Sequence, residues 1–120
     1  KNKQGSIINI SSVAARNRSI VAGVHYTASK AAIIGFSRQL AYELSKENIR
    51  VNSIAPGQTR TDMLKKAIKN NAINISNLNK HIPLGRIAET SDVVNAILFI
   101  SSNKSSYITG SVIDINGGVI

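Results

Sequence analysis

Ile49-Arg50-Val51-Asn52-Ser53-Ile54-Ala55-Pro56-Gly57 reads as a β-strand halted by a Pro-Gly stop. Upstream, a helical pattern runs from roughly His25 to Lys46 and ends at Asn48. Ile33, Phe36, Leu40 and Leu44 form its large apolar stripe; Ala28, Ala31, Ala32 and Gly35 form a small-residue stripe. Residues 13–24 read as irregular. Before them, Ser6-Ile7-Ile8-Asn9-Ile10 follows Gly5 as a second β-rich run, ending at Ser11-Ser12. Downstream, residues 58–84 are polar and Asn-rich, expected to be more flap than core, with short helices near 62–70. Thr90 or Ser91 is expected to cap a helix over 91–102, with Asp92 in its first turn. Val112–Ile115 is a last strand, closed by Gly117-Gly118. Strands alternating with helices predict an α/β fold: a doubly wound parallel sheet in three αβα layers, with right-handed crossovers. No internal repeat or second-domain boundary interrupts the pattern.

The composition narrows the function classes. The 120 residues suit one domain or part of one, and a start at Lys1 rather than methionine reads as a fragment. The chain is 42% hydrophobic but only 4% aromatic, so the expected core is aliphatic. Without cysteine there is no disulfide framework, thiolate metal site or cysteine nucleophile, and His25 and His81 alone make no usual zinc site. No metal is expected. Nor is a membrane span or secretory segment, and the cytoplasm is the default location. The net charge of +9 raises the question of a polyanion partner. Only Lys65, Lys66 and Lys69 cluster, with no interleaved aromatics for base stacking, so a solvated basic surface and no nucleic acid are expected.

Tyr26 and Lys30 carry the chemistry. A spacing of four places them on one face at the start of the helix. An ammonium beside a phenol favours the phenolate, which makes the pair a proton-transfer device. A nearby serine hydroxyl can polarise the carbonyl that receives the proton. In open parallel sheets, ligands bind beyond the carboxyl ends of the strands. Ser11-Ser12 follows one strand and Pro56-Gly57 the next, so these groups are expected to meet Tyr26 and Lys30 at one sheet edge. His25 is expected to be a packing or supporting residue rather than a catalyst; for Arg16 and Arg18 the alternatives are substrate contact and, favoured, loop cations in solvent.

Asn9-Ile10-Ser11-Ser12, Tyr26-Thr27-Ala28-Ser29-Lys30, Asn52-Ser53-Ile54-Ala55-Pro56-Gly57, Thr61-Asp62-Met63, Pro83-Leu84-Gly85-Arg86 and Ile108-Thr109-Gly110…Asn116-Gly117-Gly118 stand in an order and spacing that resembles the short-chain dehydrogenase/reductase family. Across essentially the whole chain the likeness is to its 3-oxoacyl-acyl-carrier-protein reductases. It implies a Rossmann-like fold of which residues 1–120 are the C-terminal, catalytic part. It implies hydride transfer between a nicotinamide cofactor, NADP or NAD with NADPH favoured, and a small ketone or secondary alcohol. Tyr26 would be the acid or base, and Lys30 would hold the nicotinamide ribose and favour the phenolate. Ser12 (in a variant reading Ser11) would bond the substrate oxygen. Pro56, Gly57, Thr59 and Thr61, with Tyr26 and Lys30, would bind cofactor. A homo-oligomer, dimer or tetramer, packed through the small-residue stripe is implied too.

The family's Gly-rich phosphate turn has no counterpart here: no G-x-G-x-x-G-like run occurs, and the cofactor-selecting residues are also absent. These residues alone are therefore expected neither to bind cofactor tightly nor to turn over. Ala15-Arg16 replaces a common glycine, and Glu47 stands where carrier-protein reductases often carry a basic residue, which argues against acyl-carrier docking. The alternatives are a truncated or degenerate relative acting as a non-catalytic binding module, and a nucleic-acid binder.

Overall fold

Strand β2 (Ile49–Pro56) is the centre of the molecule, and Val51, Ile54 and Ala55 are fully buried in it. The computed structural model describes residues 4–19, 22–70 and 73–119, without the side chains of Met63 and Ala67. Strand β1 (Gly5–Ile10) pairs with β2 in parallel, from Gly5 opposite Ile49 to Ile10 opposite Ile54. Strand β3 (Val112–Ile115) pairs on the other side, from Ser53 opposite Val112 to Pro56 opposite Ile115. Among the described residues the sheet order is β1-β2-β3, all parallel, as alternation of strands and helices predicts.

Helix α1 (Val24–Leu44) connects β1 to β2, and α4 (Thr90–Ser101) precedes β3. They cover opposite faces. Asn9 Nδ2 donates to Ser37 Oγ of α1 at 2.9 Å, whereas the Ser6 hydroxyl donates to the Ile100 carbonyl of α4 at 3.3 Å. Residues an odd number of positions apart on a strand point to opposite sides. A central strand covered on both faces buries a continuous run rather than alternate residues, which explains β2. Two polar members of that run, Asn52 and Ser53, are fully buried. Asn52 is satisfied: its amide donates to the Ile108 carbonyl at 2.9 Å and accepts from the Ser111 N–H at 3.0 Å.

Several boundaries differ from expectation. Helix α1 ends at Leu44 and tightens into a 3₁₀ turn, Ser45–Glu47, before Asn48 adopts the left-handed conformation (φ 57°) that halts it. Phe36 does not belong to the buried stripe. It is 61% exposed, while small Ser37 and Ala41 are buried beneath the helix, because close approach to the sheet favours small residues there. The stretch expected to be irregular from 13 to 24 holds a 3₁₀ turn, Val13–Ala15, and α1 already begins at Val24; its residues 20 and 21 lie outside the described residues.

The segment after β2 departs most. Besides α2 (Asp62–Lys69), which falls where a short helix is expected, it contains α3 (Ile75–Lys80), capped by the Asn74 side chain. Leu78, Ile82 and Ile87 are buried together, with Leu64, Ile73, Ile75 and Val119 packed around them. This region is thus a small second core rather than mainly a flap; residues 71 and 72, also in the expected flap, lie outside the described residues. Gly117 makes the join possible. At φ +65° a Cβ there would come 2.7 Å from Ile82 Cγ2.

Helix α4 begins one residue earlier than expected, and its cap is Glu89 rather than Thr90 or Ser91. The Glu89 N–H donates to Asp92 Oδ2 at 2.8 Å.

Candidate active site

Three chain segments meet beyond the carboxyl ends of β1 and β2. Ser11 and Ser12 leave β1, Tyr26 and Lys30 stand in the first two turns of α1, and Pro56 and Gly57 end β2. Ser12, Tyr26, Lys30, Pro56, Gly57, Thr59 and Thr61 all line one cleft of about 810 Å³. That volume lies within the usual range for small-molecule sites, about 300–1,000 Å³.

The two serines have different bonding. The Ser11 hydroxyl donates to the Lys30 carbonyl at 2.7 Å, which ties the end of β1 to α1. Ser12 Oγ accepts from the Ala14 N–H at 3.2 Å, capping the 3₁₀ turn. An accepted bond occupies a lone pair and leaves the Ser12 O–H able to donate.

Lys30 Nζ donates to the Ile10 carbonyl at 3.1 Å and stands 5.7 Å from the centroid of the Tyr26 ring. The strand end thus holds the ammonium beside the phenol, within cation–π reach. Two of its three donors remain for a ligand. Tyr26 is 37% exposed and faces the cleft.

The opposite wall is shaped by backbone. The Gly57 N–H donates to the Ile115 carbonyl at 2.9 Å, and a Cβ on Gly57 would lie 3.0 Å from Asn116 Cα, so a larger residue would have to push the end of β2 and the chain after β3 apart. Thr59 donates to the Gly57 carbonyl at 3.1 Å and bridges to Ala88. Thr61 Oγ1 accepts from the Leu64 N–H at 3.3 Å, capping α2 and keeping its own proton available.

Sequence reasoning missed the cleft's apolar flank: Leu64, Ile73, Val93 and Val94. Val93 and Val94 belong to a helix read from its expected cap and first turn, and Leu64 and Ile73 to the segment read as polar flap. Arg18, weighed between solvent and substrate contact, is exposed and lines the cleft. Arg16 instead reaches β3, where its Nη2 meets Asp114 Oδ2 at 3.1 Å. His25 is exposed and is not among the residues lining the cleft.

The start of α4 is fixed electrostatically. Arg86 grips Asp92 with both guanidinium nitrogens, at 2.7 and 3.2 Å, and Arg60 Nε meets Glu89 Oε1 at 2.8 Å. The hydrogen bond from Arg86, helped by the Glu89 N–H, holds the Asp92 carboxyl below the usual carboxylate range; the same bond raises Arg86.

A nicotinamide dinucleotide offers ribose hydroxyls and a carboxamide. The donors on the walls, Ser12, Lys30 and Thr61, beside a glycine-shaped floor and an apolar flank, fit those groups. Among the described residues no three His, Asp or Glu side chains gather as a metal site, and no helix is long and apolar enough to cross a membrane.

A family model described as Enoyl-(Acyl carrier protein) reductase matches residues 1–120. The chain is 44% identical over 119 residues to the 3-oxoacyl-[acyl-carrier-protein] reductase FabG of Chlamydia muridarum, covering 99% of this chain and 46% of that protein. It is similar to the crystal structure of a 3-oxoacyl-[acyl-carrier protein] reductase with bound NAD from Brucella melitensis (TM-score 0.83, 36% identity), covering 98% of this chain and 42% of that one. It is similar also to ElxO with NADP bound (TM-score 0.88, 30% identity), covering 96% of this chain and 46% of that one. The chain spans about half the length of the curated relatives it matches, 46% for the Chlamydia muridarum reductase.

Proposed function

The chain belongs to the short-chain dehydrogenase/reductase family, and we propose that the intact protein is an oxidoreductase of small ketones and secondary alcohols, similar to the 3-oxoacyl-acyl-carrier-protein reductases. Residues 1–120 are its catalytic part, and a Gly-rich dinucleotide-binding turn comes from sequence outside them. The observation that carries this reading is the convergence of Ser12, Tyr26, Lys30, Pro56, Gly57, Thr59 and Thr61 on one cleft.

Pro56, Gly57, Thr59 and Thr61 would hold the nicotinamide end of NADP or NAD, and Lys30 its ribose. When bound, the cofactor supplies or takes up the hydride. The protein's own task is to handle the charge that develops on the substrate oxygen. In reduction that oxygen gains negative charge and takes the Tyr26 O–H proton; in oxidation the Tyr26 phenolate takes the alcohol proton. Lys30, held by the Ile10 carbonyl near the ring, stabilises the phenolate left behind. Ser12 donates a hydrogen bond to the same oxygen.

A positioned acid contributes about 10²–10⁴-fold. Tyr26→Phe in the intact protein is therefore expected to lower kcat for ketone-dependent NAD(P)H oxidation by about that factor, with an unchanged circular dichroism spectrum. Near-normal turnover would reject the mechanism. No turnover by wild-type protein with any ketone or alcohol would favour a non-catalytic binding module.

A further inference from the structure

The charges lining the cleft are of one sign. Arg18 and Lys30 are cationic, and among the described residues no acidic side chain lines it. Lys30 is engaged by the Ile10 carbonyl and lies close to Tyr26. Arg18 is different. Among the described residues it has no ion-pair partner, whereas Arg16, two positions back in the same loop, is held by Asp114 at 3.1 Å. One loop arginine therefore braces the loop against β3, and the other lines the cleft without a carboxylate partner among the described residues. A planar guanidinium recognises a carboxylate through two parallel hydrogen bonds.

We propose that Arg18 is a specificity-determining residue and that the substrate is a ketone or secondary alcohol carrying a carboxylate at the end of a short apolar chain. The inference rests on the oxidoreductase reading. The carbonyl sits between Ser12 and Tyr26, the chain runs along the apolar flank that includes Leu64 and Ile73, and the carboxylate meets Arg18. A cofactor phosphate is the other anion at hand. Arg18, however, belongs to the segment that follows β1 and carries Ser12, while Pro56, Gly57, Thr59 and Thr61 end and follow β2.

The test compares reduction of 5-oxohexanoate and its methyl ester by intact wild-type protein and by the Arg18→Lys and Arg18→Leu variants, each checked for fold by circular dichroism. Wild type is expected to favour the acid. Arg18→Leu should lower the acid-over-ester ratio of kcat/KM by about 10–100-fold, the scale of hydrogen bonds to a charged group, and Arg18→Lys should restore part of it. An unchanged ratio overturns the proposal. So does a raised KM for NAD(P)H with the ratio intact, which would assign the guanidinium to the cofactor. Binding of hexanoate against hexanamide, read by saturation-transfer NMR, judges Arg18 without turnover: preference for hexanoate that is lost in Arg18→Leu supports it, and preference that survives overturns it. If neither ketone is reduced, the oxidoreductase reading is judged by turnover of other ketones and alcohols, and this binding result alone decides on Arg18.

Discussion

Arg16 and Asp114 lie 98 positions apart in sequence, yet their contact helps to set where the Ser12 loop sits. Asp114 Oδ1 is buried without a hydrogen-bond partner, so Arg16 at Oδ2 is the carboxylate's principal compensation among the described residues. Removing Arg16 leaves that carboxylate without its ion pair. The groups are partly exposed and the cost is correspondingly modest: Arg16→Ala is expected to destabilise the intact protein by roughly 1 kcal/mol in urea unfolding, and Asp114→Asn to cost less because it removes the charge that needs a partner. Equal stabilities for all three proteins would show that the pair does nothing measurable. Ser12→Ala tests a different property. It removes a cap and a donor to the substrate oxygen, and should lower kcat by about 10²–10³-fold while changing substrate KM little. The Tyr26–Lys30 pair with a serine from Ser11-Ser12 was legible as a candidate from residue type and spacing, and the choice of Ser12 from the family resemblance. The separate commitments of Arg16 and Arg18 were not, because partners so distant in sequence leave no local pattern.

Among the elements, α4 is placed by its first turn. Arg86 and Glu89 fix Asp92, and Val93 and Val94 beyond it line the cleft. Asp92's folded pKa is depressed, so its contribution is fully present above the unfolded carboxylate value of about 4 and disappears as pH falls below it. Acid titration of stability should therefore be less steep below pH about 4 in Asp92→Asn than in wild type, with differing midpoints at neutral pH. Identical acid profiles would show that the bidentate contact is not formed in solution. Helix α1 was readable because its pattern is long, and the strands because they are rich in Ile and Val and bounded by stops, such as Asn48 and Pro56-Gly57, that are backbone effects. Helix α3 and the small core of Leu78, Ile82 and Ile87 were not readable. Six residues rich in Asn and Ser carry little periodicity, and their burial is created by Val119 and the chain after β3.

At the scale of the whole molecule, α1 presents an uncovered face. Ala28, Ala31, Ala32 and Gly35 are exposed, and a Cβ on Gly35 would meet nothing within 4 Å. We propose that this face pairs with a second copy, as expected for a homo-oligomer. Gly35→Arg should then leave the chain folded but shift the intact protein to a smaller species in light scattering. An unchanged mass for Gly35→Arg would remove this face from the interface. The sequence by itself determined the α/β order and the parallel sheet, and it named Tyr26, Lys30 and the Ser11-Ser12 pair as candidates, because periodicity, stop signals and short spacings are local properties. Tertiary structure decided what shares the cleft: Leu64, Ile73, Val93 and Arg18, drawn from three separate stretches of chain. It also decided which small residues of α1 lie beneath the sheet and which remain uncovered. Burial and charge pairing are properties of packed surfaces, and those surfaces exist only once β1, β2 and β3 are in register and the helices have closed over both faces.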